Sequence, residues 1–210
     1  MMIKNFTDIA FTESVKQVQE AQGSRQQMAR MEEVEYTELY HREKDFIESL
    51  DMFYMATSNE NGWPYVQFRG GPRGFLKVLS SKQLGYADFG GNRQYLSVGN
   101  LKANNKVALI LMDYLRKMRL KIWAETEIVA AEDHPELAKQ LILPEYQAPK
   151  SRIKVERLML FNVQAYAWNC PQHITQRFSI EEMTNLLLNG TLKLGKDLLK
   201  TLNAMEEGDA

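Results

Sequence analysis

Met52-Phe-Tyr-Met-Ala-Thr57 and Trp63-Pro-Tyr-Val-Gln-Phe-Arg69, joined through Asn59-Glu-Asn-Gly62, decide the fold class. Both runs are β-rich, and an Asn-Gly pair between two such runs is a strong hairpin signal, because a tight turn needs positive φ. Pro64 sits near the start of the return strand, where a missing N–H is tolerated. Working outward, Gly70-Gly-Pro-Arg-Gly74 is a second turn, and Phe75–Leu79 with Leu84–Asp88 make the next hairpin. Lys106–Tyr114 and Met118–Ala131 are two long strands joined at Leu115-Arg-Lys117, and Val155–Trp168 is a long last strand. About seven antiparallel strands, with a short helix at Asn92–Lys102 between the fourth and fifth, predict a closed sheet or barrel.

Helices flank this β region. Val15, Val18 and Ala21 recur at helical spacing, and Leu39, Phe46, Ile47 and Leu50 form an apolar stripe on the charged segment Glu35–Leu50. Asp133–Leu141 is a short helix with Pro135 in its first turn. Ser179-Ile-Glu-Glu182 is a capping box; its helix stops at Asn189-Gly190, and a final helix carries Leu194, Leu198, Leu202 and Met205 on one face. No repeat or linker divides the chain. The reading is one domain over residues 1–210: N-terminal helices (1–50), a barrel (51–178) and C-terminal helices (179–210).

The 210 residues are 44% apolar and 25% charged, which is ordinary for a globular protein and excludes a disordered chain or a disulfide scaffold. The single cysteine, Cys170, fits a reducing compartment. The longest apolar run, Val107-Ala-Leu-Ile-Leu-Met112, is strand-sized, and Met1–Asp8 has no signal layout. The expectation is a cytoplasmic protein without a membrane span. Net charge is −1, but unevenly spread. Residues 1–68 carry 6 basic and 12 acidic side chains, residues 69–125 carry 11 and 3, and residues 126–210 carry 9 and 12. The middle third is therefore a basic island of net +8, of the kind that faces an anion.

Within that island Gly70-Gly-Pro-Arg-Gly74 is not a dinucleotide fingerprint, since a strand follows it, and it lacks the Gly-Lys-Ser/Thr of a P-loop. A tight turn between strands is the simpler reading of the glycines, with Arg69 and Arg73 flanking it. Asp88-Phe-Gly-Gly-Asn-Arg-Gln-Tyr95 reads as a strand end, a turn and a helix opening with Asn92-Arg93, where free N–H groups and a guanidinium attract an anion. Arg119 and Lys121, two apart on a strand, point to one face. Cys170 and His173 are two ligands at most, short of a closed metal site, and no nucleophile, base and orienter assemble around them, so a structural cysteine is expected.

Six segments together resemble the pyridoxamine 5'-phosphate oxidase-like family, in particular its flavin-nucleotide-binding branch. They are Gly70-Gly-Pro-Arg-Gly-Phe-Leu-Lys77, Ala87-Asp-Phe-Gly-Gly-Asn-Arg-Gln-Tyr95, Gly99-Asn-Leu101, Met112-Asp-Tyr114, Arg119-Leu-Lys-Ile-Trp123 and Trp168-Asn-Cys-Pro-Gln-His-Ile174. The resemblance covers about residues 10–180. It implies a six-stranded antiparallel split β-barrel of the FMN-binding type, and a homodimer with FMN in clefts between subunits. Its phosphate-binding positions fall on Asn92, Arg93, Arg119 and Lys121. The strand along the flavin ring falls on Phe75, Leu76, Lys77 and Val78, preceded by Arg69 and Arg73. The late Trp and Arg given by the other subunit fall on Trp168 and Arg177. The chain departs from the vitamin B6 oxidase at its end: helices follow Arg177 in place of an Arg-Leu-x-Pro tail.

The resemblance thus implies an FMN-dependent oxidoreductase acting on a small molecule, distinct from pyridoxamine 5'-phosphate oxidation. A non-catalytic FMN carrier or redox sensor is the alternative. A cation beside the flavin N1 and C2=O would stabilise the reduced ring, and Lys77 and Lys121 are the two candidates to supply it. A nucleic-acid binder using the basic island with Trp63, Tyr86 and Tyr95 is disfavoured, because no reader motif appears. The reading is no nucleic acid, no membrane and no metal.

Overall fold

The hairpin expected at Met52 forms in the computed structural model, which describes residues 5–33, 37–146 and 154–189. Met52–Ser58 (β1) pairs antiparallel with Pro64–Gly70 (β2) about the Asn59–Gly62 turn, where the Asn59 side chain accepts from the N–H groups of Asn61 and Trp63. Lys77–Ser80 (β3), Gln83–Phe89 (β4), Lys106–Asp113 (β5), Met118–Val129 (β6) and Val155–Asn169 (β7) complete one antiparallel sheet in the order β2-β1-β5-β6-β7-β4-β3. The resemblance implies six strands and the described residues form seven, mostly β with flanking helices; among them β2 and β3 are the edges, so the barrel is split rather than closed. The chain divides into two compact units, residues 1–113 with 118–172 and residues 114–117 with 173–210.

In the first unit, strand alternation builds the core. Phe53 and Met55 of β1, Leu109 and Leu111 of β5, Leu120 and Ile122 of β6, and Met159 and Phe161 of β7 are all buried on one face. Phe53, Phe75, Tyr86 and Phe161 form an aromatic cluster with ring centroids 5.5–6.3 Å apart. Each such side chain removed from water contributes roughly 1.5–3 kcal/mol.

The apolar stripe Leu39, Phe46, Ile47 and Leu50 is buried as its spacing predicts, around the helix His41–Glu48 (α4). The helices Thr7–Ala10 (α1), Glu13–Ala21 (α2) and Arg25–Ala29 (α3) precede it, and Val18 of α2 is exposed. The Gly70–Gly74 turn confirms the simpler reading. The N–H groups of Gly71, Gly74 and Phe75 bond to the carbonyls of Asp51, Leu50 and Pro72, so the turn engages these three itself. Gly74 has φ +78°, and a Cβ there would lie 2.9 Å from the Glu48 carbonyl oxygen.

Leu96–Ala103 (α5) and Pro135–Leu141 (α6, with Pro at its first turn) lie between strands. The helix expected from Asn92 thus starts four residues late. Arg93 and Tyr95 have φ 62° and 52°, which a right-handed helix forbids, and the Asn92 side chain accepts from the Gln94 N–H to form a turn instead. In the second unit the capping box forms as expected before Ile180–Leu188 (α7): the Glu182 N–H donates to Ser179 Oγ at 3.1 Å, and the Ser179 N–H to Glu182 Oε2 at 2.8 Å. The helix expected around Leu194–Met205 lies outside the described residues. Among the described residues no helix is long and apolar enough to cross a membrane.

Candidate functional site

Alternation on β2 divides its residues between two environments. Val66 and Phe68 face out, while Tyr65, Gln67 and Arg69 face in, toward a cavity of ≈ 150 Å³ beside α5. Asp88 on β4 and its cross-strand partner Arg157 on β7 close another side, and the Gly90–Tyr95 turn forms the rim.

The polar groups form one network. Arg69 Nη1 donates to Asp88 Oδ1 at 3.0 Å and Arg157 Nη1 to Asp88 Oδ2 at 3.3 Å. Arg157 Nη2 also donates to Glu156 Oε2, the Tyr95 hydroxyl donates to Glu156 Oε1 at 3.2 Å, and the Arg157 guanidinium lies 5.2 Å from the Tyr95 ring centre. Ser97 Oγ donates to Gln67 Oε1 at 2.7 Å. Burial pushes the Asp88 carboxyl above its ordinary value, and the nearby Arg69 and Arg157 charges oppose that shift. Burial, with Asp88 adding to it, drives the Tyr86 phenol far above its usual range. Arg69 Nε is buried without a hydrogen-bond partner among the described residues. Arg93 is exposed on the rim and forms no ion pair or hydrogen bond among them.

Arg69, Asn92 and Arg93, three of the residues expected at a cofactor site, meet at this cavity. Arg119 and Lys121 are elsewhere. Asp88 pairs with Arg157 near the start of β7, and Arg119 pairs with Asn169 at its end. Neither Arg119 nor Lys121 lines the cavity with Arg93. Arg119 and Lys121 project from the outer face of β6, since Leu120 and Ile122 between and beyond them are buried. Lys121 Nζ lies 5.4 Å from the Trp123 ring and 5.9 Å from the Phe6 ring; burial, then the Arg119 charge, holds it below the ordinary lysine range. Arg119 Nε is buried and unpartnered among the described residues.

Phe75 and Leu76 are each 2% exposed within the core, so their side chains present no surface to a ring. Lys77 opens β3, half-buried, and the Val78 N–H is engaged by Glu48 Oε1 at 3.0 Å. Arg73 is exposed and donates to the Ser49 carbonyl. Trp168 packs edge-on to Phe46, donates from Nε1 to Glu43 Oε1 at 2.7 Å and lies under the Arg42 guanidinium at 4.4 Å. Arg177, in the second unit, is exposed with its guanidinium 5.2 Å from the Tyr114 ring. Cys170 is exposed, its Sγ accepting from the Gln172 N–H at 3.4 Å. Among the described residues no three His, Cys, Asp or Glu side chains gather as metal ligands.

Sequence reasoning missed Gln67, Tyr95, Ser97, Glu156 and Arg157 as cavity residues, and read Asp88 only as part of a motif. Gln67 was findable, being two residues from Arg69 on a strand. Arg157 was not, because only the β4–β7 register places it opposite Asp88.

Residues 39–164 match the family model of pyridoxamine 5'-phosphate oxidase. Among solved structures, a candidate pyridoxamine 5'-phosphate oxidase from Lactobacillus delbrueckii is 18% identical, covering 62% of this chain and 94% of its own, with a TM-score of 0.46. HupZ from Group A Streptococcus is 16% identical over 67% of this chain and 100% of its own, at 0.48. An FMN-binding protein from Syntrophomonas wolfei is 15% identical over 60% and 83%, at 0.45. No curated protein matches the chain.

Proposed function

Since the chain belongs to the pyridoxamine 5'-phosphate oxidase family, we propose that it binds FMN and serves as an FMN-dependent oxidoreductase on a small molecule. The observation that carries this reading is the cavity beside α5, where the uncompensated guanidinium of Arg93 stands on the rim above Arg69 and Arg157. Three guanidinia against the carboxylates of Asp88 and Glu156 leave a net positive lining suited to a phosphate. At ≈ 150 Å³ the cavity is well below the roughly 300–1,000 Å³ typical of a drug-sized ligand, so it suits the phosphate end and not the ring.

The ring then needs walls from elsewhere, which supports a homodimer. Arg119 and Lys121 lie outside the cavity lining, and a second chain can bring further cations to the ligand. On the outer sheet face, Val66 is 60% and Phe68 57% exposed, with Tyr54 and Ile110 alongside on β1 and β5. Bound FMN supplies the hydride or electron transfer. The chain's part is to hold the phosphate at Asn92 and Arg93, fix Arg69 through Asp88, and cover the ring.

The test is the visible spectrum of the purified protein, with the released chromophore identified by mass, followed by FMN and riboflavin titrations. FMN binding well above riboflavin is expected, and equal binding overturns the phosphate assignment. Anaerobic reduction followed by oxygen, quinones and nicotinamide nucleotides then separates enzyme from carrier. A flavin that titrates but exchanges electrons with none of them makes this a carrier or sensor.

A further inference from the structure

No sequence feature singles out Arg157. It follows Val155-Glu156 at the start of β7, and only the fold shows what it faces. We infer that Arg157 is a phosphate-recognising residue, forming with Arg69 and Arg93 a three-guanidinium end to the cavity that is selective for a phosphate monoester, and that Asp88 is the residue that positions two of the three. The inference rests on the FMN reading above and adds to it the residues that would discriminate the phosphate.

A guanidinium carries five N–H donors in a fixed plane. Arg69 engages Asp88 through Nη1 alone, and its Nε is buried with no partner among the described residues. Arg157 engages Asp88 and Glu156 through its two Nη atoms, while its plane rests on Tyr95. Arg93 engages no carboxylate among the described residues and stands exposed on the rim. The two carboxylates thus hold Arg69 and Arg157 in place without exhausting their donors, and they leave one net positive charge. Asp88 takes one guanidinium on each oxygen, which fixes the angle between them as two independent surface arginines would not. The Arg157 side chain is 16% exposed, enough to reach a ligand in the cavity.

A purely structural role also exists, since the Arg69–Asp88 pair ties the free edge β2 to β4 across the open side of the sheet. That role would affect all ligands alike. A phosphate-reading role would affect only those that carry the phosphate.

The experiment is fluorescence titration of the full chain with FMN and with riboflavin, for the parent, Arg157→Lys and Arg157→Gln, with thermal melts to confirm folding. In Arg157→Gln, FMN affinity is expected to fall about ten- to hundredfold with riboflavin affinity unchanged. Arg157→Lys, which keeps the charge but loses the fork, is expected to fall between. If Arg157→Gln does not fold, the lysine variant carries the comparison. An unchanged FMN-to-riboflavin ratio, or equal loss of both ligands, in a parent background that prefers FMN overturns the role of Arg157. A parent that does not prefer FMN overturns the phosphate reading itself, and the two failures are distinguishable.

Discussion

Arg69 and Asp88 stand on strands that share no ladder, yet Arg69 Nη1 and Asp88 Oδ1 are 3.0 Å apart. The contact places a carboxylate that is 5% exposed between two guanidinia. Burying that charge is unfavourable, and it is opposed only in part by its partners.

The folded Asp88 pKa lies above its ordinary value of 3.8, so between those two values the folded state binds more protons than the unfolded. Stability contributed at this site is then greatest at acid pH and falls as pH rises through the folded value. The difference in melting temperature between parent and Asp88→Asn should decline with rising pH across that window and level off above it. A difference that grows with pH would reverse the sign assigned here.

Arg93 combines a left-handed backbone with the phosphate contact proposed above. At φ 62° a side chain costs roughly 1–2 kcal/mol that glycine avoids, less the extra backbone entropy glycine loses on folding. Arg93→Gly should melt no lower than the parent. Its FMN affinity should fall about ten- to hundredfold, the equivalent of roughly 1.5–3 kcal/mol for a charge-assisted contact.

Gly74 is constrained twice, by φ +78° and by the Glu48 carbonyl 2.9 Å from a would-be Cβ. Gly74→Ala should destabilise by about 1–3 kcal/mol, read from the urea midpoint at constant slope. A neutral outcome would mean that the turn relaxes without disturbing α4.

The outer face of β2 offers a clean test of assembly. Phe68 is 57% exposed, so Phe68→Glu should leave the isolated fold intact. Placed in a subunit interface, the same charge should dissociate the dimer by sedimentation and weaken FMN binding with it. A variant that remains dimeric moves the interface elsewhere.

Much of this architecture was legible in local chemistry. Asn59-Glu-Asn-Gly62 and Ser179-Ile-Glu-Glu182 form as read, because a hairpin turn and a capping box are decided within four residues. The start of α5 was misplaced because Asn92-Arg93 looks like a helix opening unless Arg93 and Tyr95 are known to be left-handed. The resemblance places Phe75 and Leu76 on the strand along the flavin ring; an apolar run looks the same whether it lines a ligand or fills a core, and their side chains fill the core, which leaves only backbone groups to meet a ring. The acidic half of the cavity was hidden for another reason. A search of the basic island for an anion site has no cause to pick out Asp88 or, far along the chain, Glu156.

The order of strands also bears on how the molecule is made. Among the described residues β7 is the last strand in sequence, yet it lies between β6 and β4 in the sheet. Until it docks, β2-β1-β5-β6 and the β3–β4 hairpin are separate ladders, and Gln83–Phe89 waits for partners about seventy residues later. Joining such distant segments must overcome loop-closure entropy before any contact rewards it, which slows folding. Asp88 and Arg157 lie on different pieces until that moment. During synthesis, the carboxylate between its two guanidinia can be completed only after the ribosome has released β7, so anion binding at this cavity should appear late in refolding, together with the final ladder.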